Sequence, residues 1–454
     1  ELDLFEDKIE QGLFRFIGGR GRLQWIMFIL NFAVQFFMQF PLALQTFMGA
    51  KPIGLCSVGG SKDNFEYCSE AKACEQMAQG LPSKLEMDDS WVKQYGMVCD
   101  KRHYRTSLES LFVFFEFAFS IVILQIADYC GRKICFYIAF GLTSSCALAC
   151  YFSNSYIWKS FFNSITYGGN AIYANLFTIY LLEIIDPSYY LHQYIVAGWV
   201  VAFPAGYICF CLITFLTMDP TTLNLISTTS VCIVTLLPCL FIKESPLFTL
   251  LQRSVRDFVQ SAKLIRSFNG LPTSESESLE LEKDGAIFRA QYDAFLAIEK
   301  SERAKEKSPV IRIVTDGLYM FQILVTSLSC ALLVSIFYGA TFNMDDMGAS
   351  SIAVNGIYSN FSQAIAGILI GLVLHKMSRR KWMLWLQGII LLGAVCLAFT
   401  RYLPKGKFQE YLITILASWV INSLQNATYV PSNYFICELF PIDLRGTSGS
   451  FITV

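Results

Sequence analysis

Ten stretches of this chain are apolar over a length that points to a bilayer. They lie near 24–48, 107–127, 134–153, 157–184, 191–215, 221–242, 316–339, 350–374, 382–400 and 409–438. An α-helix rises about 1.5 Å per residue, so about 20 apolar residues cross ~30 Å of hydrocarbon. An apolar share of 54%, with 39 phenylalanines against 16% charge, is more than one soluble core absorbs. The fold class expected is an all-α membrane protein that crosses the bilayer many times.

Two local marks recur. Asp128, Gly131, Arg132 and Lys133 separate the second and third stretches, and His375, Ser378, Arg379 and Arg380 separate the eighth and ninth. An apolar stretch then ends in Glu183 and Pro187 after the first copy, and in Glu438, Pro441 and Arg445 after the second. Two similar halves are the architecture of alternating-access transporters, with polar sites near the midplane. The expected division is a cytoplasmic interfacial segment at 1–23, a six-helix half at 24–242, a linker at 243–315 and a second half at 316–454. The second half holds helices 7–10, and residues 446–454 read as the start of helix 11, so two further spans are expected in the natural protein.

Basic residues fix the expected orientation. Arg15, Arg20 and Arg22 precede the first span, and Arg132, Lys133, Lys376, Arg379, Arg380 and Lys381 fill the short loops after the second and eighth. Positive charge accumulates on the cytoplasmic side, which puts the N-terminus there. Leu2, Leu4, Phe5, Ile9, Leu13 and Phe14 suggest a short interfacial helix rather than a cleavable signal. The loop at 49–106 then lies outside the cell, in an oxidising compartment, and its four cysteines, Cys56, Cys68, Cys74 and Cys99, are expected to form two disulfides in one of three pairings. The other cysteines are expected to pack as small hydrophobes. In the linker, Leu250, Val255, Phe258, Val259 and Leu264 suggest one or two amphipathic helices against the inner membrane face.

Polar residues inside lipid-spanning helices are costly unless they face a cavity or a partner. Asn31, Gln35 and Gln39 form a stripe on helix one; Asn163, Tyr167, Asn170 and Thr178 on helix four; Gln322, Thr326 and Ser329 on helix seven; and Ser418, Asn422, Asn426, Tyr429 and Asn433 on helix ten. Helices six and nine show little comparable. The striped helices are the first of each set of three, as expected if each half is a pair of inverted three-helix repeats around one cavity. Glu116 is the candidate coupling carboxylate. An inner gate is expected from Asp128, Arg132 and Glu183 in one half and Arg379, Glu438 and Arg445 in the other, with ion pairs that break as the halves rock. No nucleophile and base pair, phosphate-binding glycine loop or metal set is found, so neither an enzyme nor a cofactor is expected. A net charge of −1 gives no reason to expect nucleic acid as a partner.

These marks, with Lys243, Glu244, Ser245 and Pro246 after the sixth helix, resemble the major facilitator superfamily. The long Cys-bearing outer loop ending at Val98, Cys99 and Asp100, followed by Ser110, Leu111 and Phe112, resembles its organic cation, anion and zwitterion transporter branch of solute carriers. The resemblance implies a major facilitator fold and a plasma-membrane secondary transporter of small organic solutes, with a rocking switch and an aromatic-lined central site. By position it adds Phe337, Tyr338 and Gln363 to the candidate site and supports Tyr429. It departs at Gln363, where cation carriers tend to place an acid, at Asn163, near an expected arginine, and at His375 and Ser378. A monomer in the lipid bilayer is expected. The alternatives are a non-transporting receptor-like or partner protein, supported by the altered second loop, and a sugar-porter-like carrier.

Overall fold

The computed structural model describes residues 11–19, 21–57, 65–87, 89–185, 191–217, 219–272, 275–303, 317–342, 352–373, 379–403 and 407–424. Within these residues the apolar stretches are helices. The first span is Arg22–Phe37 followed by Gln39–Met48, and the next five are Arg102–Cys130, Arg132–Phe152, Tyr156–Ile184, Leu191–Leu216 and Pro220–Phe241. The seventh to ninth are Gly317–Phe342, Ile352–Val373 and Arg379–Phe399. The tenth begins as Lys407–Thr414 and continues as a π-helix, Ile415–Asn422. Among the described residues, Arg22–Met48, Arg132–Phe152 and Pro220–Phe241 are each long and apolar enough to cross a bilayer. Local chemistry sets several ends. Asp219 caps the sixth span, accepting from the Thr222 amide at 2.8 Å and its hydroxyl at 2.6 Å, and Pro220 fills the first helical position, where an N–H is not needed.

The first span is discontinuous for a reason written in the sequence. Pro41 has no N–H to offer the Phe37 carbonyl one turn back, and the helix stops at Phe37 and resumes at Gln39. Met38 sits between the two segments with φ −71° and ψ −6°.

The described spans pack around two cores. At the linker end, Met27, Leu30 and Val34 of the first span join Phe136, Tyr173, Phe177, Tyr180 and Val234. At the opposite, disulfide-bearing end, Phe40, Leu44 and Phe47 join Phe112, Tyr156, Tyr207 and Phe210. The described residues of the linker form three helices, Pro246–Gln252, Val255–Phe268 and Glu275–Arg303. Their apolar face meets protein rather than lipid, contrary to expectation: Leu250, Phe258, Val259, Ala262 and Ile265 are buried in the linker-end core, while Leu264 is exposed. Burial of a side chain such as Phe258 contributes about 1.5–3 kcal/mol.

Residues 11–17 are helical, and the expectation of an interfacial segment is corrected for them: Leu13, Phe14, Phe16 and Ile17 are buried in the same core. The linker has polar groups that fix them there. Asn269 accepts from the Leu23 amide at 2.9 Å and donates to the Ile17 carbonyl at 2.7 Å, and Arg266 donates to the Phe16 carbonyl at 2.8 Å. Residues 1–10 lie outside the described residues.

The segment between the first two spans is a small folded unit. Strands β1 (Ile53–Ser57), β2 (Phe65–Cys68) and β3 (Ser83–Glu86) form an antiparallel sheet in the order β2-β1-β3, beside the helix Glu70–Ala78. No strand was expected from the sequence, because alternation over four or five residues is too short to stand out. Disulfides join Cys56 to Cys68 and Cys74 to Cys99. A buried ion pair, Arg105 to Glu70 at 2.7 Å, ties the unit to the start of the second span. Of the other described cysteines, Cys130 and Cys396 are exposed, so packing as small hydrophobes holds for the rest only in part.

Candidate functional site

The discontinuity in the first span is held from two sides. Asn163 of the fourth span donates to the Pro41 carbonyl at 2.9 Å and to Gln45 Oε1 at 3.5 Å. On the other side the fifth span runs against the Phe36 carbonyl at Gly206, where a Cβ would overlap that backbone oxygen. Asn163 therefore fastens helix to helix, and its predicted place on a cavity-lining stripe is corrected: its donor is spent on the first span.

The polar groups beside this break have a different character. Asn31, Gln35 and Gln39 are at most 1% exposed, as is Asn170 of the fourth span. Asn31 Oδ1, both polar atoms of the Gln35 side-chain amide, Gln39 Oε1 and Asn170 Oδ1 have no hydrogen-bond partner among the described residues. The Gln39 amide nitrogen reaches the Gln35 carbonyl at 3.4 Å. Leaving a buried polar atom unpaired costs about 1–3 kcal/mol, which makes these atoms candidates for a partner that the described residues do not supply. Tyr167 is 1% exposed, and its ring lies 5.3 Å from that of Phe112. Aromatic surface thus lies one helical turn from Asn170.

In the second half the sequence reading missed a buried face. On the eighth span Asn355, Ser359, Asn360, Ser362 and Gln363 are all at most 2% exposed, and Gln363 Oε1 is unpaired among the described residues. Only Gln363 was a candidate; the spacing of Asn355, Ser359 and Ser362 is the helical period that marked the other stripes and could have found them. The predicted stripe on the seventh span is partly spent on packing, since Ser329 accepts from Gln387 of the ninth span at 2.7 Å and Thr326 bonds its own helix at the Gln322 carbonyl. The eighth span packs against the fifth and tenth. At the disulfide-bearing end Ile352, Ala353, Ile357 and Ala417 join Phe40, Phe203, Tyr207 and Phe210 in one cluster, so the two halves meet there.

At the linker end, Arg132 Nη2 bonds Glu183 Oε1 at 2.7 Å and Nη1 bonds the Ala127 carbonyl at 2.8 Å. The guanidinium lies 5.0 Å from the Phe248 ring centroid. This is the pair expected for the first half; it joins the third and fourth spans of that half, so by itself it does not latch one half to the other. A residue not assigned to the gate completes the corner. Glu244 Oε1 accepts from the Arg132 amide at 2.9 Å and the Lys133 amide at 3.4 Å. Gly131 is required beside it: its φ is +98°, and a Cβ would lie 2.6 Å from Glu244 Oε2.

Glu116 is half-buried on the second span, and Asp128 lies in that span's last turn. Arg379 opens the ninth span, and Phe337 and Tyr338 lie on the seventh. The predicted site and gate residues Asn426, Tyr429, Glu438 and Arg445, and the loop residues His375 and Ser378, lie outside the described residues.

The family model of the Major Facilitator Superfamily matches residues 106–454. No curated protein matches this chain. Among solved structures it is similar to the proton:xylose symporter XylE bound to 6-bromo-6-deoxy-D-glucose, at 13% identity and a TM-score of 0.58, covering 95% of this chain and 85% of that one. It is also similar to a partially occluded, inward-open conformation of the xylose transporter XylE from E. coli, at 10% identity and a TM-score of 0.57, covering 97% and 89%. At these identities the likeness establishes the fold.

Proposed function

The chain belongs to the major facilitator superfamily, and from that premise we propose that it is a secondary transporter of a small organic solute, working by alternating access. The observation that carries this is the set of buried amide atoms on Asn31, Gln35, Gln39, Asn170 and Gln363 that have no partner among the described residues. Five of these atoms are oxygens and one is the Gln35 nitrogen, so the set chiefly accepts hydrogen bonds from a polar solute without supplying a counter-charge. Tyr167 adds an aromatic wall, suited to cation–π contact with an ammonium group. With the Cys-bearing outer unit, these features favour an organic ion or zwitterion carried across the plasma membrane, the N-terminus and linker being cytoplasmic.

Alternating access then opens the site at the linker end while the apolar cluster around Phe40, Tyr207 and Ala353 closes the other. Arg132, Glu183 and Glu244 hold the linker end of the first half rigid as it rocks. Arg379, Glu438 and Arg445 are proposed for the matching corner of the second half, and Glu116 as the proton-coupling carboxylate. The protein is proposed to act as a monomer. A second reading, a carrier of neutral polyhydroxylated solutes, is favoured by the same amides, which suit hydroxyl groups.

Uptake of labelled cations, anions, zwitterions and sugars into cells expressing the full-length protein tests the proposal. Saturable uptake of an organic ion or zwitterion supports the first reading, and uptake of sugars alone the second. No saturable uptake of any of them, with surface expression verified, would move the protein to the non-transporting class.

A further inference from the structure

A half-open recess of about 400 Å³ lies at the linker end, away from the amide-lined site, between the start of the third span, the end of the sixth and the linker helix Val255–Phe268. Lys133, Lys243, Arg253, Glu244, Ser261, Ile134, Tyr137 and Leu264 line it. Its charge is unbalanced: three cations face one carboxylate, Glu244, whose Oε1 accepts from the Arg132, Lys133 and Ser245 amides at 2.9, 3.4 and 3.3 Å. Among the described residues none of the three cations has a carboxylate within 4.0 Å. Each is instead set beside an aromatic ring, with Lys133 Nζ 5.9 Å from Tyr137, Lys243 Nζ 6.0 Å from Phe268 and the Arg253 guanidinium 5.8 Å from Phe248. The ring contacts orient the cationic heads without neutralising them.

The rim has the opposite chemistry. Ile134, Tyr137 and Leu264 are 44%, 45% and 52% exposed. Leu264 stands out on its helix, where Phe258, Val259, Ala262 and Ile265 are all buried against protein. Both bordering spans end here, so the recess sits at the depth of one leaflet's headgroups, with apolar side chains at its edge and cations within.

We propose that this recess binds a phosphate-bearing anion, presented as the headgroup of an anionic phospholipid in the leaflet at the linker end. Lys133, Lys243 and Arg253 take the phosphate, the Ser261 hydroxyl is placed to donate to it, and the apolar rim takes the first part of the acyl chains. A soluble phosphate has the same charge but gains nothing from the rim. Because this end of the third span carries the Arg132 corner, an occupied recess also braces the gate, but binding is measurable whether or not transport is.

The test is retention of lipid by the purified full-length protein, read by native mass spectrometry with dioleoylphosphatidic acid and dioleoylphosphatidylcholine offered together. Wild type is expected to enrich the phosphatidic acid. The triple variant Lys133→Gln, Lys243→Gln, Arg253→Gln is expected to lose that preference by about a hundredfold, since each basic residue near an anionic headgroup contributes roughly a factor of five. Lys243→Arg, which keeps the charge, should retain the lipid, and this guards against a triple variant that fails to fold. Inorganic phosphate is offered separately: if it binds while the lipid is not enriched, the anion site stands and its lipid source is overturned. Equal enrichment by wild type and a folded triple variant overturns the proposal.

Discussion

Polar side chains are buried in two parts of the first six spans and behave differently in each. Where the third and sixth spans meet, the groups are paired. Ser144 and Thr235 hydroxyls are 3.3 Å apart, Thr228 donates to the Ala147 carbonyl at 3.3 Å, and Tyr173 donates to the Thr235 carbonyl at 3.0 Å. Along the first and fourth spans, Asn31, Gln35, Gln39 and Asn170 are as deeply buried and retain atoms with no partner among the described residues. The seam is helix-to-helix adhesion, and the amides are the groups proposed for recognition. Burial alone separates nothing here; satisfaction does.

Four substitutions probe that contrast, beginning with the largest effect. Gly206→Leu should abolish folded, surface-expressed protein, because its side chain must displace the Phe36 backbone that frames the amides; normal surface abundance by biotinylation would break the account of the clamp. Gln35→Leu should lower saturable uptake about tenfold while leaving the melting temperature unchanged or raised, since it removes a buried, unpaired amide. Thr235→Val should do the reverse, costing about 0.6–1 kcal/mol of stability with uptake retained. Thermal unfolding in detergent and uptake at matched abundance separate these two patterns.

The smallest effect lies at the start of the sixth span, at Asp219. The Thr222 hydroxyl, and then its amide, holds the Asp219 carboxyl below its usual range. A lowered folded value means that the stabilisation is complete above about pH 4 and is lost as pH falls through the folded value. The stability gap between wild type and Asp219→Ala should therefore be present at neutral pH and narrow on acidification. A gap independent of pH would show that the hydroxyl and amide contacts do not depend on the carboxylate charge.

Apolar length made the spans legible in the sequence. The fourth was expected at 157–184 and is Tyr156–Ile184; the sixth was expected at 221–242 and is Pro220–Phe241. Periodicity likewise placed Asn31, Gln35 and Gln39 on one face. It could not say what that face meets. Asn163 and Asn170 share a stripe, yet one fastens Pro41 while the Oδ1 of the other has no partner among the described residues. The sixth span was read as poor in polar residues, but Asn224, Ser227, Thr228 and Thr235 are buried on it, because small hydroxyls barely disturb an apolar run. Glu244 was legible as a motif but not as the acceptor for the Arg132 amide, since that contact joins residues far apart in sequence. The break in the first span could have been found from Pro41 and was not.

The central claim is that the unpaired amides recognise the transported solute. It is tested most directly by saturable uptake in Gln35→Leu/Asn170→Leu at wild-type surface abundance and melting temperature. Loss of two solute hydrogen bonds of roughly 1.4 kcal/mol each predicts a fall of about a hundredfold. Uptake at the wild-type rate would contradict it.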